Sequence, residues 1–316
     1  MRALGTAAAG ALILGVLYWR IDVARMLDVF AAAHPLWLAA GFAFHVPMAA
    51  LAAVRLKLMV HTGPGITVAE AARLNLAASA LNAVLPSKMG DFAKTWFFQR
   101  RARLSGSQAL ALVLFERASD TLTLLACCAV GLALLPAREP LVDTLAGIVA
   151  LGVAGALTLL VSRSFARICF RALDRLAPER WRRRLENLEE SWRAMQDYMF
   201  RTPVRTLLLA VFSLGIWFSN LFQVWLFLRA LGVSAPLAAA FGLAPLAILV
   251  GLLPVTFAGV GTRDVAVIYF FRAYLDAPAG AALGVLLTVR NLLFGLAGWP
   301  FLGVVSQAPR DGRPAP

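Results

Sequence analysis

Long stretches without a single charged side chain dominate this sequence. Residues 3–19, 35–54, 121–137, 144–162, 206–228 and 291–309 are such runs, each 17 to 23 residues long. A helix needs about 20 residues to cross roughly 30 Å of hydrocarbon. Runs of this length, in a chain that is 60% hydrophobic, make the bilayer its solvent and fit one membrane domain spanning residues 1–316. A β-barrel would show short alternating segments instead, and none occur. The expected fold is therefore all-α and integral to the membrane, with about six transmembrane helices, some extending past their uncharged core. The run at 3–19 follows Arg2 and resembles the apolar core of a signal peptide. The small residues Ala31-Ala32-Ala33 lie too far past Trp19 for a usual cleavage site, so a retained first helix is expected.

Two further apolar stretches are broken, and the breaks look like copies of one another. The first reads Leu85-Pro86-Ser87-Lys88-Met89-Gly90-Asp91; the second reads Leu253-Pro254 and then Gly259-Val260-Gly261-Thr262-Arg263-Asp264. Each starts on Leu-Pro and closes on glycine and aspartate with a basic residue nearby. An arginine follows each closing aspartate 26 residues on, Arg117 after Asp91 and Arg290 after Asp264. Duplicated interruptions of hydrophobic segments point to a transporter's binding site. Residues 74–87 are too few to cross and suit a re-entrant segment. Residues 236–253 are long enough to cross, but Pro236, Gly242, Pro245 and Gly251 interrupt them and favour a broken or re-entrant helix. Two re-entrant hairpins would then sit in an inverted-topology repeat, repeat one at about 1–137 and repeat two at about 140–306. Their tips, with Pro86, Gly90, Pro254, Gly259 and Gly261 shaping the reversals, must be buried in protein or line a wet cavity.

The formal net charge of +13 would suggest nucleic acid in a soluble protein. In a membrane chain it sets topology and touches anionic lipid, and no nucleic-acid partner is expected. Arg55 and Lys57 follow the second run, and Arg100, Arg101 and Arg103 precede the third. Residues 163–205 carry eleven arginines against six acids. The connections at 20–34 and 137–143 have no such excess. Placing the basic segments in the cytoplasm puts both termini there. Within the connector, Phe165, Ile168, Phe170, Leu173 and Leu176 interleave with Arg167, Arg171 and Arg175 at roughly helical spacing. This fits an interfacial helix with arginines at lipid headgroups, or else a solvated linker that only sets topology. Pro178 breaks it, and residues 181–200 read as a second helix.

Charged residues inside the apolar runs carry the chemistry. Glu116, Arg117 and Asp120 lie in the third span; with a start near Ser107, Glu116 is about 14 Å along it. Arg290 and Asn291 hold the matching place in the last span. A charge at mid-bilayer costs roughly 2.5–3.5 kcal/mol and normally faces the bundle interior. One account is purely structural: Asp120 pairs with Arg117, Asp91 with Lys88 or Lys94, Asp264 with Arg263 or Arg290, and the two aspartates cap helices. The other is a headgroup cavity formed by Lys88, Asp91, Glu116, Arg117, Asp120, Arg263, Asp264, Arg290 and Asn291. Arginine offers phosphate a planar fork, and helices restarting near Gly90 and Gly261 would aim N–H groups at the same cavity. Asn75, Asn82 and Asn220 read as polar glue between helices. Cys127, Cys128 and Cys169 form no disulfide or zinc pattern, and His34, His45 and His61 are scattered. No catalytic constellation, metal set or cofactor motif is expected, since the glycines at 259–261 lack a βαβ context.

Asn82 with Leu85-Pro86 and Gly90-Asp91, then Glu116-Arg117-Ala118-Ser119-Asp120, then Leu253-Pro254 with residues 259–264, resemble the lysylphosphatidylglycerol synthase transmembrane region family, the flippase-like membrane domain. The resemblance covers nearly the whole chain. Family members commonly carry arginine and glycine after the first Leu-Pro and often glutamate at its end; this chain has Lys88 and Asp91. The resemblance implies an integral membrane protein that moves, or helps to handle, a lipid. With the buried arginines, the expected function is binding and translocation of an anionic phospho- or polyprenyl-type lipid in the bacterial inner membrane. With no catalytic constellation, neither enzymatic activity nor a cofactor is expected. A stand-alone member without the soluble synthase domain is expected. The alternative function is a non-transporting scaffold that docks a glycosyltransferase or lipid-modifying enzyme through residues 163–205.

Overall fold

A computed structural model describes residues 15, 22–60, 65–134, 140–252 and 260–303. These residues form helices, and no strand occurs among them. In chain order they are α1 (Val23–Ala31), α2 (Pro35–Ala43), α3 (His45–Met59), α4 (Val68–Val84), a 3-10 turn (Pro86–Ala93), α5 (Lys94–Arg101), α6 (Gly106–Leu134), α7 (Pro140–Val161), α8 (Arg163–Leu176), α9 (Glu179–Phe200), α10 (Pro203–Ala230), α11 (Leu237–Gly251), α12 (Thr262–Phe270) and α13 (Ala277–Gly298), with a final 3-10 turn at Trp299–Phe301.

Side chains fix several starts. Thr67 and Glu70 close a capping box on α4, Ser105 and Gln108 bond each other's backbone N–H ahead of α6, and Asp276 accepts from Ala279 N–H at 3.0 Å to cap α13. The break between α2 and α3 has a cause in sequence. Pro47 has no N–H for the carbonyl four residues back, and the chain kinks at Phe44.

Among the described residues, Pro35–Met59, Val142–Val161, Pro203–Ala230 and Ala277–Phe301 are long and apolar enough to cross a membrane. Helix α6 has the length, at 29 residues, but carries Glu116, Arg117 and Asp120. The run at 3–19 lies outside the described residues apart from Gly15. The last span begins at Ala277 rather than with the uncharged run, which places Arg290 inside the helix. Outward faces of α7 and α10 are apolar and bare: Leu151 is 76% exposed and Leu207 63%. Only a hydrocarbon solvent makes such faces stable. The protein is thus an all-helical integral membrane protein.

Two hairpin-like arms thread this frame. Helix α4 runs inward and α5 returns, so Glu70 at the start of α4 meets Arg101 at the end of α5, 2.7 Å apart. The end of α11 and the start of α12 also meet, since a Cβ on Gly251 would stand 2.8 Å from Arg263 Cβ. The tip between them, with Pro254 and Gly259, lies outside the described residues. Each first arm packs on the last helix of the other half, α4 on α13 and α11 on α6. Small residues permit both approaches: a Cβ on Gly298 would lie 1.9 Å from Leu76 O, and one on Gly131 2.0 Å from Gly242 O.

Candidate functional site

The charged residues of the third span assemble with residues from three other elements. Helix α6 supplies Glu116, Arg117 and Asp120, α3 supplies Arg55, the 3-10 turn supplies Asp91 and α5 supplies Lys94. Lys94 Nζ lies 3.1 Å from both Glu116 oxygens and 3.5 Å from Asp91. Arg117 reaches Asp91 at 3.1 Å, Glu116 at 3.1 Å and Asp120 at 2.9 Å. Arg55 bonds Asp120 at 2.5 Å and donates to Ser213 Oγ on α10 at 3.2 Å. Among the described residues, three cations thus meet three carboxylates. Arg55, Lys94 and Glu116 are each only 2% exposed. Pairing of this kind offsets the cost of burying charge.

The second half is built differently. Gly261 opens α12, and its N–H donates to Asp264 Oδ2 at 3.1 Å. Its φ of +95° is one that side-chain-bearing residues rarely adopt. Arg263 donates to Asp264 at 2.9 Å, Gly284 O at 3.0 Å and Thr288 Oγ1 at 2.6 Å. Arg290, 7% exposed, has neutral partners: it donates to Gln223 Oε1 at 2.9 Å and to Asn291 Oδ1 at 3.4 Å. Gln223 in turn donates to Gly41 O at 2.6 Å. Among the described residues, no carboxylate lies within ion-pair distance of Arg290.

The expected residues therefore fall into three groups. Asp91, Glu116, Arg117 and Asp120 come together, and so do Arg263 and Asp264, while Arg290 and Asn291 stand apart with Gln223. The side chains of Lys88 and Pro86 lie outside the described residues, whereas Gly90 packs so closely on α4 that a Cβ would meet Asn82 N at 2.6 Å. A helix does restart after Gly261. After Gly90 the 3-10 turn continues and α5 starts only at Lys94, so Asp91 forms ion pairs there.

Sequence reasoning missed two participants. Arg55 reads as a marker of the membrane edge beside Lys57, yet it is buried against Asp120. Gln223 is uncharged and disappears into its run, although an amide in an apolar span is itself a signal.

Register relates Arg290 to the end of α4 and the partly exposed Arg117 to the end of α11. A Cβ on Gly295 of α13 would meet Ala83 of α4, and one turn back from there Asn291 and Arg290 run towards the first hairpin's tip. Gly131 of α6 meets Gly242 of α11, and further back Leu124 and Leu125 share a core with Leu246. Continuing in that direction, Asp120 and Arg117 run towards the end of α11.

Several helices long and apolar enough to cross a membrane, with ionised groups buried among them, define a polytopic membrane protein with a polar interior. The model of the lysylphosphatidylglycerol synthase TM region matches residues 3–298, and the chain belongs to that family. Comparison with curated proteins returns no match.

Proposed function

We propose that the protein binds an anionic phospho- or polyprenyl-type lipid in a bacterial inner membrane and translocates its headgroup between the leaflets. The observation that carries this reading is Arg290, a buried guanidinium whose hydrogen-bond partners among the described residues are the amides of Gln223 and Asn291. An ionised group in low dielectric wants a counter-charge, and a phosphate supplies one with two acceptor oxygens. Arg263 and Lys88 stand near the hairpin tips that would flank the headgroup. Arg117 is occupied by three carboxylates, so it would take a phosphate only after that network opens. On this reading the arms are re-entrant, the two halves are inverted repeats, and both termini are cytoplasmic. Rocking one half against the other exposes the cavity alternately. Asp91, Glu116, Asp120 and Asp264 position the cations, and the lipid leaves chemically unchanged.

The test is native mass spectrometry of lipids that co-purify with the wild type and with Arg290→Ala. One anionic class enriched on the wild type and lost from the folded variant supports the reading. The same lipids on both overturn it. The scaffold alternative would use only the outer face of α9, because Trp192, Met195 and Met199 are buried in the core beneath α6. Deleting 181–200 would unfold the bundle rather than free a partner.

A further inference from the structure

Helix α8 presents two exposed faces, tied to the rest of the bundle at one end by the ion pair of Arg163 with Asp197 of α9. Arg163, Arg167, Arg171 and Arg175 recur every fourth residue and are exposed, against the single acid Asp174. Every fourth residue returns to nearly the same side of a helix, so the arginines form a ridge. The adjoining arc carries Phe165, Ile168, Leu173 and Leu176, which are 37%, 62%, 52% and 85% exposed. A third edge holds the helix in place: Ala166 and Phe170 are buried, and the Phe170 ring lies 6.3 Å from Trp192 of α9.

Placement relative to the bilayer follows from α7. That candidate span ends at Val161, and α8 begins two residues later, capped by Ser162 through the Phe165 N–H at 3.2 Å. Gln196 of α9 donates to Leu159 O and Leu160 O at 3.1 and 2.9 Å, tying the connector to the end of α7. Thus α8 leaves the span where hydrocarbon meets headgroups. At the following bend Trp181 is exposed, with the Arg184 guanidinium 5.0 Å from its ring centre. Indole and arginine together are suited to a membrane–water boundary.

We propose that α8 is an in-plane anchor, seated in an anionic leaflet with Ile168, Leu173 and Leu176 among the upper acyl chains and the arginine ridge at lipid phosphates. Charge complementarity selects that occupant. An apolar arc alone would suit any bilayer, but Arg167, Arg171 and Arg175 beside it favour a negatively charged surface. This anchor does not depend on translocation.

The experiment uses the full chain in nanodiscs, in a background with Cys127, Cys128 and Cys169 changed to alanine. Nitroxide is attached at Ile168→Cys or Arg171→Cys, and collisions with oxygen and with a water-soluble nickel chelate are compared. In discs of phosphatidylcholine with phosphatidylglycerol, the probe at 168 should favour oxygen several-fold and the probe at 171 the chelate. Arg167→Gln/Arg171→Gln/Arg175→Gln should reduce the oxygen preference at 168, as should discs of phosphatidylcholine alone. A probe at 168 that meets the chelate freely in every disc overturns the proposal, since the face is then in water. A probe shielded from both reagents overturns it too, because protein then covers the face. Equal seating in neutral and anionic discs overturns the charge selection.

Discussion

Arg55 and Arg290 are both arginines buried among apolar helices, and their surroundings dictate opposite responses to removal. Arg55 neutralises Asp120 and Glu116. Arg55→Met leaves three carboxylates facing two cations, and breaking a buried pair from one side costs about 3–5 kcal/mol. Arg290→Met removes a buried cation with no facing carboxylate among the described residues. It leaves Gln223 Oε1 short of a donor, at about 1–3 kcal/mol, but it also relieves the burial of a charge. Thermal unfolding in lipid-free detergent should show a large loss for Arg55→Met and a small one for Arg290→Met. An equal, large loss at both would mean that Arg290 already has a counter-ion and would undercut its role as the headgroup anchor. A companion variant, Arg55→Met/Asp120→Asn, should recover much of the Arg55→Met loss, which the same unfolding measurement reads. Charge contrast explains which of these residues the sequence disclosed. Glu116, Arg117 and Asp120 stand out because they interrupt an apolar run. Arg55 sits where such a run ends, and there sequence cannot separate an arginine facing headgroups from one folded back to a carboxylate 65 positions away.

At the scale of elements, close approach of helix backbones should govern stability. Gly131 and Gly298 face carbonyl oxygens of α11 and α4 at distances no Cβ can share. Gly131→Ala and Gly298→Ala must push those helices apart, and overpacking of this kind costs about 1–3 kcal/mol. Gly147 and Gly155 of α7 have nothing within 4 Å of a built Cβ. There alanine improves helix propensity by roughly 0.5–1 kcal/mol, so Gly147→Ala and Gly155→Ala should be neutral or stabilising in the same thermal assay. A uniform effect at all four glycines would show that α4–α13 and α6–α11 are not the tight seams described. These seams are non-local, so no window of sequence displays them. The helices themselves are readable from their uncharged runs and from Pro178, which separates α8 from α9. The number of crossings is less so. The apolar run at 291–309 starts after the middle of its helix, since α13 begins at Asp276's cap and tolerates Arg290 inside it.

For the molecule as a whole, the hydrogen bonds and ion pairs sort the helix ends into two sets. Arg101 meets Glu70, and Tyr198 O–H donates to Leu58 O at 3.3 Å; these contacts gather the end of α3, the start of α4, the end of α5 and α9. Elsewhere Arg25 pairs with Asp276 at 2.8 Å, and His34 N–H donates to Ala230 O at 2.8 Å. These gather α1, the start of α2, the end of α10 and the start of α13. The sets should lie on opposite faces of the membrane, the first in the cytoplasm because it includes the basic connector. Single cysteines replacing Lys57, Arg101 and Arg184 should then react with an impermeant maleimide only from the cytoplasmic side, and one replacing Arg25 only from the other. Parity makes the result decisive for the proposed repeat. If α4 and α5 enter and leave on one side, the first half contributes an odd number of crossings and the second half starts on the opposite face, which inverts it. Labelling of Lys57 and Arg101 from opposite sides would mean that the first arm crosses. The halves would then run parallel, the two hairpin tips could not approach from opposite leaflets, and alternating access around Arg117 and Arg290 would lose its geometric basis.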